Sequence, residues 1–373
     1  MPGLHLELLD QFRDYAQIER VLKPLSETPD YSYFRSWGWV ENWLATLPKE
    51  VPVKLAVLFS GSTARCAFFL GSTRATRGPS QQRVYRLNRT GNEDYDRIYI
   101  GHDSGLQLTP NACTLQQVID CLPADWDELQ FGTFSADGNL PAHMKVTAPY
   151  EVAVATRQPA PYVDLNAVRT NPGGHLAMLQ PNVRGQVKQA NRLYEARGEL
   201  RCEVAHSLPQ AIRIYEELIA LHQEWWRKRR QRGVFDFNYF RLFHRRLIEN
   251  RFATGEIQLM RVSCGAATVG CLYNFAFRGV VYFYQSGFAL EEDTRMKPGY
   301  VCHMEAIRYC ARAGYNKYDF LGGVEGYKER LATHQGQIVW AKVWKSAIKS
   351  KGERLLRGSK NRSMSSSKTA RVV

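Results

Sequence analysis

The sequence holds no CxxC pair and no tight cluster of cysteines: its eight stand singly at 66, 113, 121, 202, 264, 271, 302 and 310. That spacing matches no common zinc site and gives no disulfide framework, so the thiols read as small buried hydrophobes and no metal is expected. Long apolar runs are missing as well. No stretch approaches the ~20 residues of a membrane-spanning helix, and the opening MPGLHLELLDQF has neither a basic leader nor the apolar stretch of a signal peptide. The expected location is the cytoplasm, with a peripheral place at the inner membrane face as the alternative. No internal repeat is apparent at short period.

Acidic residues are the next shortage. Asp and Glu number 36 against 50 Lys and Arg, a formal net charge of +14. A surplus spread over one face of a domain points to nucleic acid, so its location matters more than its size. Most of it lies at the end, where residues 342–373 hold ten Lys or Arg and one acid, Glu353. Residues 346–373, rich in Ser, Gly and basic side chains, cannot bury enough apolar surface to offset their ordering entropy and read as a disordered, solvated tail. Weak contact with anionic lipid or RNA is the alternative; DNA is not expected.

What is present is a globular balance: 373 residues, 44% hydrophobic, 12% aromatic and 23% charged. Single cores usually stop growing before roughly 300 residues, so two domains are expected. The fold class is α/β, of the α+β kind. A first block, residues 1–155, mixes a helix over 36–47 with strands such as 54–59 and 67–70. Trp39, Val40, Trp43, Leu44 and Leu47 recur at helical spacing and mark a core-facing stripe, with Trp37 outside it. TRQPAP at 156–161 carries two prolines without periodicity and reads as a linker or crossover. A second block is expected over 162–345.

In that block a basic helix over about 182–197 stops at Gly198 and leads into a strand over 199–205. A long helix follows through LPQAIRIYEELIALHQEWWRKRR, then another over 237–249. EIQLMRVS, TVGCLYNFAF and VVYFYQSGFA, divided by Cys264-Gly265 and Arg278-Gly279, predict an antiparallel meander. LEEDTRMKPG then enters an amphipathic helix closed by Gly314, the short strand NKYDFL, and a last strand over 338–344.

A Gly-containing loop between a strand and a helix presents unpaired backbone N–H groups where the helix dipole favours an anion. RMKPGY is such a loop: Arg295 and Lys297 add charge, Gly299 permits close approach, and the helix starting near Tyr300 is placed to hold a pyrophosphate. A tight turn with solvated charges is the competing reading.

The order of the segments NVRGQVKQANRLYEARG, LHQEWWRKRRQRGVF, GCLYNF, YFYQSGF, MKPGYVCHMEAI and YDFLGGVEGYKERLA resembles a known family. From Tyr162 to about Lys345 the chain looks like the GNAT-superfamily acetyltransferases grouped with the CelD cellulose-biosynthesis proteins, also called BioF2-like and related to FemAB. LNRTGNEDYDRIYI in the first block resembles what precedes that domain in such proteins. The resemblance implies tandem GNAT-like domains with mixed, mostly antiparallel sheets flanked by helices. It also implies a degenerate, acceptor-side first domain, acetyl-CoA or another acyl-CoA as donor, and transfer to a sugar, an envelope or polysaccharide precursor, or another small amine or hydroxyl. The usual GNAT pyrophosphate signature is matched only in Arg295 and Gly299, Tyr300 stands where a smaller residue is easier, and Val324 and Glu325 follow Gly323 where relatives carry an acidic residue.

Acyl transfer from a thioester needs a positioned nucleophile, a proton acceptor, oxyanion donors and an acid for the thiolate. In a GNAT-like arrangement the strand around 281–286 diverges from the one around 317–321 to admit the donor. Tyr284 is then a candidate acid and Gln285 a group that orients the acceptor. Asp319 reads equally as a base or as a structural ion-pair partner. Lys328 suits a phosphate or carboxylate of the acceptor. His222 and Trp226 on the long helix, and Arg184 with Lys188 and Arg192 on one helix face, are candidate acceptor contacts whose alternative is packing or a solvated face. His303 and Glu305 lie just past the anion site. The run 227–232, RKRRQR, is a solvated turn or a phosphate contact. A FemAB-type aminoacyl-tRNA-dependent transferase and a non-catalytic GNAT-like binding module are the competing functions.

Overall fold

Leu55, Ala56, Val57 and Leu58 are all fully buried. A strand apolar on both faces must lie inside a sheet covered on both sides. The computed structural model describes residues 3–27, 32–77, 80–98, 113–135, 138–323 and 326–345. The first half runs β1 (Leu4–Asp10), α1 (Tyr15–Ser26), α2 (Trp37–Thr46), β2 (Lys54–Ser60), β3 (Thr63–Arg77), β4 (Ser80–Leu87), α3 (Glu93–Asp96), α4 (Leu115–Cys121), β5 (Glu128–Ser135) and β6 (Tyr150–Asp164). The second runs α5 (Leu165–Thr170), α6 (Gly174–Met178), α7 (Pro181–Glu195), β7 (Leu200–Val204), α8 (Leu208–Lys228), α9 (Asn238–Arg251), β8 (Ile257–Cys264), β9 (Ala267–Phe277), β10 (Val280–Phe288), α10 (Pro298–Arg312), β11 (Lys317–Asp319), α11 (Gly326–Leu331) and β12 (His334–Lys345). The mixed α/β architecture and the meander of β8, β9 and β10 agree with the sequence reading.

Among the described residues the strands form one sheet in the order β1-β2-β3-β4-β5-β12-β6-β11-β10-β9-β8-β7. Each half makes an antiparallel meander and then a short parallel pair, 84–86 on 128–130 and 280–282 on 317–319. The closing strands are exchanged. β12, last in the second half, sits between β5 and β6, whereas β6, last in the first, sits between β12 and β11.

The expected linker at 156–161 is therefore corrected: these residues lie inside β6, paired antiparallel with β12. The prolines are tolerated because the Pro161 carbonyl accepts from Phe320 N–H, on the edge away from β12. Nitrogen and carbonyl of one residue point the same way in an antiparallel strand, so no bond of the β12 ladder is lost at Pro161. Trp37, expected off the core stripe, is buried because α1 covers that side; its ring lies 5.9 Å from that of Tyr15. Ser36 caps α2 by accepting from Trp39 N–H.

Around β8, β9 and β10, one sheet face is covered by α8, α9 and, from the first half, α2; the other is covered by α7 and α10. No helix among the described residues is long and apolar enough to cross a membrane. The expectations for the tail 346–373, for Val324 and Glu325, and for the last residues of LNRTGNEDYDRIYI lie outside the described residues.

Candidate functional site

The parallel pairing of β10 with β11 ends at Tyr282 and Asp319, while β10 continues to Phe288. Beyond Tyr282 no strand among the described residues pairs with the far edge of β10, so backbone groups there are available to a ligand. A β-bulge falls at the same place: Phe283 pairs with Asn274 and Gln285 with Tyr273, which leaves Tyr284 as the extra residue. Bulges re-aim side chains and end ladders, and here both happen at the opening between the strands. On the other wall Leu321 adopts φ 58°, a left-handed conformation costly for a branched side chain. Asp319 holds it there: one carboxylate oxygen accepts from Leu321 N–H at 2.9 Å and the other lies 2.7 Å from Lys317 Nζ. Asp319 is thus ion-paired, with Lys317 as the partner.

Opposite residues of an antiparallel pair share a face, so the register sorts the side chains around the opening. Ser286 lies opposite Leu272, on the α10 face with Phe283 and His303. His303 is fully buried; its Nδ1 is hydrogen-bonded to the Tyr318 hydroxyl at 3.0 Å, and its Nε2 has no partner among the described residues. Burial, helped by the neighbouring Lys328 charge, lowers its pKa to about 3, so the ring is neutral. Lys328, 6% exposed, stands over the Phe283 ring at 5.6 Å and donates to the Gly322 carbonyl at 3.4 Å. Ser286 Oγ, also buried, has no partner either. Polar groups so buried are normally satisfied, so this wall has hydrogen-bonding capacity to offer a bound molecule.

The other face behaves differently. Tyr284 is 2% exposed inside an aromatic cluster, donates to the Ile98 carbonyl at 2.8 Å and lies 2.8 Å from His244 Nε2. With its hydroxyl proton committed to Ile98, Tyr284 is not brought to Lys328. Gln285, opposite Tyr273, shares this face; it is 1% exposed, and neither amide atom has a partner among the described residues. His244, fully buried and neutral because burial lowers its pKa, went unnoticed in the sequence, where nothing distinguishes it from another amphipathic-helix residue.

Past the opening, α10 begins with no side-chain cap: Lys297 is its N-cap, Pro298 lacks an N–H, and Gly299 and Tyr300 follow. The N–H groups of the first turn thus face outward without a protein acceptor from a capping side chain. A Cβ built on Gly299 would sit 3.4 Å from Phe288, so small side chains fit there and large ones press on the strand. Tyr300 is turned into the core rather than crowding the loop. Arg295 is exposed and forked onto Asp293, whose pKa it holds down at about 2. The carboxylate partner leaves Arg295 a weaker claim on an anion than Lys297.

Three expected acceptor contacts have partners of their own. His222 accepts from Trp226 Nε1–H at 2.9 Å, and its Nδ1 lies 3.2 Å from Gln223; burial lowers its pKa to about 4. His222 and Trp226 are thus a mutually satisfied packing pair. Arg184 donates to the Leu179 carbonyl at 3.0 Å, a contact local to α7.

Comparison with known proteins agrees with this geometry. The family model described as Acetyltransferase (GNAT) domain matches residues 181–329, which span the meander, α10, β11 and Lys328. The likeness is to a GNAT acetyltransferase domain and covers that segment of the chain. The chain is similar to FemX in fold, with a TM-score of 0.52 at 10% identity over 93% of this chain and 99% of that one. A conserved protein of unknown function from Bacteroides thetaiotaomicron VPI-5482 superposes with TM-score 0.48 and 12% identity, over 89% and 97% of the two chains. A tandem GNAT protein from the clavulanic acid biosynthesis pathway gives 0.44 and 11%, over 93% and 100%. No curated protein sequence matches.

Proposed function

We propose that the protein is an acyl-CoA-dependent N- or O-acyltransferase, with acetyl-CoA as donor and a sugar, an envelope or polysaccharide precursor, or another small amine or hydroxyl as acceptor. The observation that carries this reading is the unpaired edge of β10 leading to the uncapped start of α10, within a GNAT segment. The donor pyrophosphate rests on the first turn of α10 near Lys297 and Gly299, and the thioester lies along β10. The acceptor nitrogen or oxygen attacks the thioester carbonyl, an edge N–H of β10 receives the oxyanion, the C–S bond breaks, and the acceptor proton ends on the coenzyme thiolate. The Lys328 ammonium beside Phe283 stabilises the developing negative charge. On this reading the second half, 162–345, is the transferase and the first, 1–155, a degenerate copy on the acceptor side. Titration calorimetry with acetyl-CoA tests it: micromolar binding that Gly299→Glu abolishes is expected, and no heat at high coenzyme concentration would sink it.

A second reading, transfer from aminoacyl-tRNA, draws on the exposed run 227–232. It predicts tRNA binding whose affinity falls steeply with salt. Binding that is weak and flat with salt removes it.

A further inference from the structure

A cleft of ≈ 340 Å³ opens between the two halves, lined by Asp94, Tyr95, Arg232, Asp236, Phe237, Asn238 and Tyr239. That volume lies within the usual range for small-molecule sites. Its acids are already engaged. Asp94 lies 3.6 Å from Arg97, and Asp236 accepts from Gly233 N–H and from Gln223. Arg232, by contrast, is held by no carboxylate among the described residues and only stacks on Phe237, its guanidinium carbon 4.5 Å from the ring centre. Arg97 also lies over the Phe237 ring, at 3.9 Å, but it is outside the cleft lining and 3.6 Å from Asp94. Arg227, Lys228, Arg229 and Arg230 extend the positive charge outward, all exposed.

The cleft also adjoins the reaction site. Tyr95 and Tyr239 meet edge to face at 4.8 Å, and three residues past Tyr95 the Ile98 carbonyl accepts from the bulged Tyr284. It therefore lies on the α9 side of β10, the side of the unpartnered Gln285 amide, whereas the proposed donor approaches from the α10 side. We infer that the cleft binds the acceptor through a phosphate group, with Arg232 as the phosphate contact and Gln285 orienting the group to be acylated. This rests on the acyltransferase reading for the word acceptor; the anion site itself does not depend on it.

The test is titration of the full chain with inorganic pyrophosphate at low ionic strength, in a Gly299→Glu background that blocks the proposed donor site. Binding that Arg232→Glu weakens at least tenfold, with Arg232→Lys intermediate and the melting temperature unchanged, supports the assignment. Absence of pyrophosphate binding, or binding that Arg232→Glu leaves intact, overturns it. Acetyl-CoA is titrated separately against Arg232→Glu alone. Unchanged coenzyme affinity is expected, and failure of coenzyme to bind any form sinks the acyltransferase reading while leaving the pyrophosphate result to judge the cleft.

Discussion

In the first half, β4 ends at Leu87, one residue past its parallel pair, and the Asn88 side chain accepts from Phe69 N–H at 2.9 Å, fastening the chain back onto β3. In the second, β10 runs six residues past the corresponding point, with its edge bare. The helices that follow differ in the same sense. α4 starts with a complete capping box, in which Thr114 accepts from Gln117 N–H and Gln117 accepts from Thr114 N–H; α10 starts with no side-chain cap. One topology thus occurs twice, and it offers a ligand backbone hydrogen bonds only where the strand outruns its partner and the helix is left uncapped.

Several substitutions press on that contrast. Lys328→Met keeps the stem over Phe283 and removes the charge; kcat should fall by on the order of 10²-fold, with acetyl-CoA affinity little changed, as steady-state kinetics and calorimetry would read. A loss confined to affinity would move Lys328 from the reaction to donor binding. Acid should weaken the protein next. Among the described residues the buried histidines, His175, His222, His244 and His303, all belong to the second half. Burial lowers His175 and His222 to about 4 and His303 to about 3, against an ordinary 6.5. Because these folded-state pKa values are depressed, the unfolded chain takes up protons first. Stability is full above about pH 6.5 and falls as pH drops towards 4, seen as a declining urea midpoint.

His244→Phe should cost about 1–3 kcal/mol, since it removes a buried partner of the Tyr284 hydroxyl. It should also lower kcat by loosening the bulge, and a stability loss with unaltered kinetics would separate that clamp from the site. Smallest is Thr114→Ala, about 1 kcal/mol by chemical denaturation, with acetyl-CoA affinity unchanged. A change in that affinity would break the distinction drawn between the halves.

Much of the second half was legible because its meander and helices carry strong periodicity and because Pro298 and Gly299 mark the start of α10. Asp319 and Lys328 could be nominated as types, but not assigned. Whether Asp319 faces a substrate or holds Leu321 depends on a turn conformation that composition does not encode. The face of Gln285 was hidden for a related reason: the bulge puts it on the side of Tyr282 and Tyr284, where alternation would not, and no residue pattern around 283–285 announces one. The prolines of 156–161 concealed β6, since their effect depends on which edge is paired. The cleft at Arg232 was visible only as a basic run, because its other wall comes from residues some 140 positions earlier.

The exchange of closing strands has a consequence for synthesis of the chain. β5, paired with β4 on one side, cannot gain its other neighbour until residue 345 has left the ribosome, some 210 residues after β5 itself has emerged. Through most of translation the first half must therefore wait with one sheet edge bare, exposed to chance pairing with other chains. A gene cut just after Asp164, at the end of β6, should yield two fragments that stay insoluble apart and recover only when expressed together, each supplying the strand the other lacks.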